Sequence, residues 1–287
     1  MKKIMKLGGK VAIVSAAGRG IGRAIALCLA EEGADVVVSS FREETTNSTA
    51  DAVRAIGRKV VAMPGDITTA DTIVHVVQET LDTCGKIDIV VNNVGGASAT
   101  PKAIGTGPLT RVEAMWDGTY EQNLRASVLM CEAVAPHFIA QNSGKIVNVS
   151  SIAGRFTPSA KNMERFVPPV YCALKAGLIS YTQTLAERLG PHNINVNCVC
   201  PGIVYTDAWK GISKRMVEDI PEFQGQDSRE WFVGIAHGKY PDMFRATPMR
   251  REQTAEDLGR AVAFLVSEDA LNITGQTLNV DGGMVKN

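Results

Sequence analysis

Neither sign of charge prevails in this chain. Lys plus Arg number 30 and Asp plus Glu number 30, so the formal net charge is zero. A nucleic-acid binder normally shows a basic excess or stripe, and with none here no nucleic-acid partner is expected. Long apolar runs are missing too, and nothing approaches the roughly 20 apolar residues of a membrane span. The start, residues 1–6, is basic like a secretory leader, but the apolar stretch behind it is short and broken by Gly8, Gly9 and Lys10. The expectation is a soluble cytoplasmic protein with no membrane partner. Cysteine is sparse: Cys28, Cys84, Cys131, Cys172, Cys198 and Cys200 form no C-x-x-C. Cys198 and Cys200 would share one face of a strand, poor geometry for a disulfide, so all six read as small hydrophobes in a reducing compartment. His75, His137, His192 and His237 have no metal-ligand spacing and read as structural or surface residues, so no metal is expected. Repeats, low-complexity segments and linkers are absent, and residues 1–287 read as a single domain.

What is present is a sizeable apolar fraction, 45% of residues, enough for a large core. A chain without net charge also self-associates readily, a hint of oligomers. Short apolar stretches at 10–15, 35–40, 59–64 and 87–92 alternate with helical spacing at 20–32, 43–56 and 69–84. The pattern resumes with strands at 145–151, 193–200 and 276–280 and helices at 170–189 and 254–267. Strands apolar on both faces, alternating with helices, predict a parallel sheet covered on both sides. Right-handed crossovers then give an α/β, doubly wound, Rossmann-type domain with seven parallel strands and helices on both faces. Two stretches break the alternation. Residues 95–110 read as a loop, and residues 205–249 as a substrate lid with weak helical runs, because long irregular segments in compact domains usually serve binding.

The first strand runs into Ser15-Ala16-Ala17-Gly18-Arg19-Gly20-Ile21-Gly22 and then a helix. Backbone without Cβ can lie against a pyrophosphate, and a helix N-terminus offers free N–H groups. Such a turn alone is a weak signal; its place between the first strand and first helix makes it a dinucleotide-site candidate. Strand four ends in Asn92-Asn93-Val94-Gly95-Gly96 on the ligand side of the sheet, although a plain Asn-Gly turn has the same sequence. Asp66, with Ile67 after it, can meet an adenine amino group or can serve as a turn residue before the helix at Thr69. The end of strand two, Ser39-Ser40-Phe41-Arg42, lacks the acid that usually holds the ribose 2′-hydroxyl of NAD. Arg19, Arg42 and Ser40 suit a 2′-phosphate instead, so NADP(H) is favoured and NAD(H) remains possible.

Tyr171 and Lys175 stand four apart at the start of a helix, on one face. A free tyrosine has a pKa near 10, and a neighbouring ammonium is expected to lower it, giving a general acid for ketone reduction or a base for alcohol oxidation. Y-x-x-x-K alone is a common match and gains meaning only from its surroundings.

Those surroundings resemble the short-chain dehydrogenase/reductase family, in particular its 3-oxoacyl-carrier-protein reductase-like members. The resemblance spans residues 10–283: the glycine turn, Asn92-Asn93-Val94-Gly95, the run Gly144-Lys145-Ile146-Val147-Asn148-Val149-Ser150-Ser151, Tyr171/Lys175, Pro201-Gly202, and Ile273-Thr274-Gly275 through Asp281-Gly282-Gly283. It implies that Ser151 polarises a substrate carbonyl and Tyr171 transfers the proton. Lys175 would hold the nicotinamide ribose, and Asn123 would kink its helix and hold a water leading to Lys175. Pro201, Gly202, Ile203 and Thr206 would line the nicotinamide carboxamide. The cofactor set is then Ser15, Ala17, Gly18, Arg19, Gly20, Ile21, Gly22, Ser40, Phe41, Arg42, Asp66, Ile67, Asn93, Val94 and Gly95, with Tyr171 and Lys175. The resemblance further implies a homotetramer acting on a small carbonyl or secondary-alcohol substrate.

Three departures stand out. Ala16 occupies the family's first glycine, with Ser15 where Thr is usual, and its methyl is expected to crowd the turn. Val94 replaces an alanine. About twenty residues separate Ser151 from Tyr171, more than is common, and the extra piece carries Met163, Phe166 and Val167. With Trp209, Met216, Phe223, Trp231, Phe232, Met243 and Phe244 it suggests a covered, mostly apolar substrate pocket; packing inside the lid or across a subunit contact explains the same residues equally well. Two other functions fit the motifs: an NAD-dependent dehydrogenase of a cyclic or steroid-like alcohol, and a non-catalytic dinucleotide-binding sensor or scaffold.

Overall fold

The computed structural model describes residues 5–97, 108–159 and 167–286. Its centre is a seven-stranded sheet in the order β3-β2-β1-β4-β5-β6-β7, with every neighbouring pair parallel. The strands are β1 (Val11–Val14), β2 (Asp35–Ser40), β3 (Val60–Pro64), β4 (Ile89–Asn92), β5 (Gly144–Val149), β6 (Ile194–Pro201) and β7 (Thr277–Val280). β1, β4, β5 and β6 are buried along their whole length, as expected of strands covered on both faces.

Alternation along the strands divides the core in two. Ala12, Val14, Val36, Val38, Val91, Val147 and Val199 face α1 (Gly20–Glu31) and α9 (Ala255–Leu265), packing on Ile25, Leu29, Val262 and Leu265. Ile13, Val37, Val90, Ile146 and Val196 face the other way. They meet Ile73 and Val76 of α3 (Ala70–Cys84), Met130, Val134 and Phe138 of α5 (Ala126–Ala140), and Leu185 and Leu189 of α6 (Pro169–Leu189). α2 (Glu43–Ala55) follows β2 and packs Val53 on the first face.

Most predicted elements appear within a residue or two of their expected ends. The span between β4 and β5 differs. Of the expected loop, residues 98–107 lie outside the described residues, and Pro108 already opens α4 (Pro108–Tyr120). A π-helical turn (Glu121–Arg125) joins it to α5. α5 is apolar on nearly every side, so it carries no helical period for a sequence to display.

The segment at 205–249 holds two real helices, α7 (Asp207–Asp219) and α8 (Ser228–Ala236). They enclose a small core of their own from Met216, Phe223, Trp231, Phe232, Ile235, Met243 and Phe244. Trp231 stacks on Tyr240 with ring centroids 5.5 Å apart. Among the described residues, no helix is long and apolar enough to cross a membrane.

The strand order reverses direction between β1 and β4. In such sheets a crevice opens at the carboxyl ends of the strands on either side of that switch.

Candidate active site

A cleft of about 1220 Å³ opens at the carboxyl ends of the strands. Small-ligand pockets are typically about 300–1,000 Å³, so it has room for more than one small molecule. One end is built from the turn between β1 and α1. Arg19, Gly20, Ile21 and Gly22 line it, and no side chain caps the first N–H groups of α1. Those uncapped donors and the positive end of the helix dipole suit a phosphate. A Cβ at Gly22 would collide with the Ala16 carbonyl and the Asn93 amide, so the turn can close only with glycine there.

Ala16 stands in the left-handed region, φ 50°, where an L-residue is strained and glycine is not. Its carbonyl accepts a hydrogen bond from Asn93 Nδ2 at 3.3 Å. The backbone thus keeps the conformation of the missing glycine, and the cost falls on Ala16 itself.

Ser15, Ala17 and Gly18, expected at the cofactor, do not line the cleft; they are buried beneath it. Ser15 Oγ accepts from the N–H groups of Asn93 (2.9 Å) and Val94 (3.3 Å), locking the two strand ends together. Gly18 packs so closely on Ser40 and Thr45 that a Cβ would lie 2.7 and 2.6 Å from their hydroxyl oxygens. These three shape the turn because its backbone must be pinned on the side away from any ligand.

Ser40, Phe41, Arg42, Asp66, Ile67, Asn93, Val94 and Gly95 all line the same end. Phe41 is 72% exposed, an apolar ring left open at the mouth. Asp66 Oδ1 accepts from the N–H of Thr68 (3.0 Å) and its hydroxyl (2.7 Å), so one carboxylate oxygen serves the local turn. Arg19 reaches across the cleft to Asp207, Nη1 to Oδ2 3.3 Å. Uncapped helix donors and a glycine cradle fit a dinucleotide, and Arg42 stands exposed just past the end of β2.

At the other end, Ser151, Tyr171 and Lys175 meet. α6 is tied to the sheet by a buried polar chain: Asn92 Nδ2 donates to Asn148 Oδ1 (2.9 Å), and Asn148 Nδ2 donates to Thr182 Oγ1 (2.9 Å). The second turn of α6 is fixed to the end of β5 by Ser150 Oγ donating to the Lys175 carbonyl (2.8 Å) and by Lys175 Nζ donating to the Val149 carbonyl (3.0 Å). Lys175 Nζ sits 5.8 Å from the centre of the Tyr171 ring.

Asn123, fully buried in the π turn, does not line the cleft. Its Nδ2 donates to the carbonyls of Thr119 (3.0 Å) and Gly96 (3.1 Å), and its Oδ1 accepts from Gly96 N–H (3.0 Å). A side chain on Gly95 (φ 147°) would press on Asn123 Oδ1 at 2.6 Å and Lys175 Nζ at 3.0 Å, so the Gly95 backbone, Asn123 and Lys175 form one compact group. Where the resemblance implied a kink, the helix passes through a π turn at Glu121–Arg125.

The electrostatics correct the expected direction for the tyrosine. Burial pushes the Tyr171 phenol up to about 12, and its hydrogen bond with Ser151 pulls it back only in part. Burial also drives Lys175 down to about 8. Spacing of four shows that the two side chains are neighbours but not how deeply both are buried, and desolvation is the largest cause of the shift in each.

Pro201, Gly202, Ile203 and Thr206 line the wall between the two ends. Val167 lines the cleft as well, while Met163 and Phe166 lie outside the described residues. Of the aromatic set, Trp209, Met243 and Phe244 reach the cleft, whereas Met216, Phe223, Trp231 and Phe232 pack inside the segment. Sequence reasoning missed Ser150, Thr45 and Asp207, and the supporting role of Asn148. Asn148 did carry a signal, a polar residue within an otherwise apolar strand, which is stable there only with a dedicated partner.

A model of the short chain dehydrogenase family matches residues 10–216, and one described as enoyl-(acyl carrier protein) reductase matches residues 234–285. The 3-oxoacyl-[acyl-carrier-protein] reductase of Chlamydia muridarum is 36% identical over 278 residues, 96% of this chain and 97% of that protein. Among solved structures, L-sorbose reductase from Gluconobacter frateurii, complexed with NADPH and L-sorbose, superposes with a TM-score of 0.82 at 28% identity, covering 99% of each chain. A 7α-hydroxysteroid dehydrogenase complexed with NADH and 7-oxo glycochenodeoxycholic acid gives 0.78 at 30% identity, covering 99% of this chain and 97% of that one. With its doubly wound sheet, its glycine turn and its Ser–Tyr–Lys cleft, the chain belongs to the short-chain dehydrogenase/reductase family of oxidoreductases, with 3-oxoacyl-carrier-protein reductase-like relatives.

Proposed function

We propose that this protein is an NADP(H)-dependent carbonyl reductase, able to run in reverse on a secondary alcohol, with Tyr171 as the general acid and base. The observation that carries the reading is the meeting of Ser151, Tyr171 and Lys175 at one end of the cleft, with Ser151 hydrogen-bonded to the Tyr171 phenol. A protonated phenol is the form required to give a proton to an oxygen gaining negative charge.

The cofactor would supply the hydride to the carbonyl carbon. Gly20, Ile21 and Gly22 would hold its pyrophosphate on the α1 N–H groups, with Arg19, Ser40 and Arg42 at the 2′-phosphate. Asp66, Ile67, Asn93, Val94 and Gly95 would flank the adenosine half. Pro201, Gly202, Ile203 and Thr206 would take the nicotinamide half. Ser151 would orient the substrate carbonyl oxygen and Tyr171 would deliver the proton to it. Lys175, mostly charged at pH 7 with its pKa near 8, would restore that proton and hold a ribose hydroxyl. Asn123 is a positioning residue in this scheme. Its amide fixes the Gly96 backbone, and through the neighbouring Gly95 it fixes the space around Lys175 Nζ.

Residues 1–287 would act as one domain, and residues 205–249 as its lid over the substrate. The solved relatives include one complexed with NADPH and one complexed with NADH, so the cofactor choice here rests on Arg19, Arg42 and the lack of an acid at the end of β2. Fluorescence titration with NADPH and NADH, followed by turnover of a ketone panel with the tighter one, tests the reading. Tighter NADPH binding with turnover supports it. Preference for NADH would move the protein toward the NAD-dependent alcohol dehydrogenases, and binding of neither would remove the oxidoreductase assignment.

A further inference from the structure

Five arginines lie at 205–251, the segment over the substrate end of the cleft and the two residues that follow it, and three of them are engaged. Arg229 pairs with Glu252 at 2.6 Å, Arg251 with Asp257 at 3.3 Å, and Arg250 donates to the His237 carbonyl at 3.3 Å. The other two, Arg215 and Arg245, have no carboxylate partner among the described residues, and both line the cleft.

Their positions follow from the fold. Ala208, Ile212 and Arg215 recur at helical spacing and all line the cleft, so α7 turns one stripe toward it. Arg215 ends that stripe, eight residues and about 12 Å beyond Asp207, well away from the cofactor-side start of the helix. Arg245 lies over the ring of Phe156, its guanidinium 5.7 Å from the ring centre. Phe156 follows the turn that begins at Ser151, so this stack holds a positive charge on the catalytic side. Trp209, Ile212, Met243 and Phe244 line the same cleft and give it apolar surface. Asp242 lines the cleft too and offsets one of the two charges, leaving one in excess.

We propose that Arg215 and Arg245 form an anion subsite, and that the substrate is a ketone with an apolar body and a carboxylate or phosphate at its far end. An apolar wall gives a sugar-like polyol few hydrogen-bond partners, while it covers a hydrocarbon body well. Guanidinium groups match both anions, and a stacked one loses less freedom on binding. The inference rests on the reductase reading above.

The test uses medium-chain oxo acids with the ketone at successive positions, their methyl esters, and the corresponding oxo-alcohol phosphate monoesters. Turnover and binding by calorimetry are measured for each. For anion contacts at a solvent-facing mouth, the acid or phosphate should exceed the ester by about five- to tenfold in kcat/KM, and the gap should shrink as salt is added. Which anion gains more separates a carboxylate from a phosphate. Arg215→Gln combined with Arg245→Gln should bring the anion-to-ester ratio toward one, Asp242→Asn should raise it, and Arg250→Gln should leave it unchanged. Dinucleotide binding at the other end of the cleft checks that each variant is folded. Equal binding of acid and ester by the unmodified protein, or a ratio that survives the double substitution, would overturn the anion subsite. Loss of turnover for every probe, with anion-selective binding intact, would strike the reductase reading and leave the subsite standing.

Discussion

Arg19, in the turn after β1, donates to the carboxylate of Asp207 at the start of α7, 3.3 Å away across the mouth of the cleft. Both side chains are more than half exposed, at 67% and 52%, so the pair adds little to stability. Its effect is on binding, because a guanidinium held by a carboxylate must be shared with any incoming phosphate. Asp207→Asn should therefore tighten NADPH binding by about two- to fivefold, the size expected for one exposed ion pair, and leave NADH unchanged. Titration of both cofactors decides this; an equal change in both would mean that Arg19 does not read the 2′-phosphate.

Removing the arginines makes the converse case. Arg19→Ala with Arg42→Ala should weaken NADPH by about 10- to 100-fold, the range for charged hydrogen bonds, and NADH far less. Equal losses in the two titrations would withdraw the phosphate assignment.

The sheet and the cleft were legible in the sequence because both rest on local signals. Valine-rich strands buried on two faces, glycines in the turn after β1, and a tyrosine and lysine one helical turn apart all declare themselves within a few residues. The remainder depends on contacts across the chain. α5 has no polar face to mark its period. Trp231 and Phe223 could equally face a ligand or each other, and only their packing on each other and on Tyr240 decides. Asn123 reads as a helix break, but the Gly96 backbone it holds is 27 residues away. The sign of the Tyr171 shift was missed for the same reason, since spacing reports neighbours and burial is collective.

Lys175 offers a test through stability. Its pKa falls from 10.5 to about 8 on folding. Between those values the unfolded chain still binds the proton and the folded chain has lost it, so this group's contribution to stability rises with pH across that window. At neutral pH the buried charge costs up to about 3 kcal/mol, by about 1.4 kcal/mol per pKa unit. Lys175→Met should gain on the parent protein near pH 7 and lose that advantage by about pH 10. Denaturant midpoints at both pH values read it, and a difference independent of pH would contradict the burial argument.

Ala16 carries backbone strain of about 1 kcal/mol or more at φ 50°. Ala16→Gly relieves it, and the greater freedom of glycine in the unfolded chain takes back about 0.4–1 kcal/mol. Thermal stability should hold or rise slightly, and dinucleotide affinity should rise as the methyl leaves the cleft. Weaker binding by the glycine variant would show that the methyl contributes to the site.

On the proposed mechanism the Tyr171 phenol supplies the proton. NADPH oxidation against the ketone panel, measured for the parent protein and Tyr171→Phe in parallel with cofactor titration, tests it most directly. A fall in kcat of about 100- to 10,000-fold with cofactor affinity retained is the predicted result, the span for loss of a general acid. Turnover by the phenylalanine variant at close to the parent rate would contradict the mechanism.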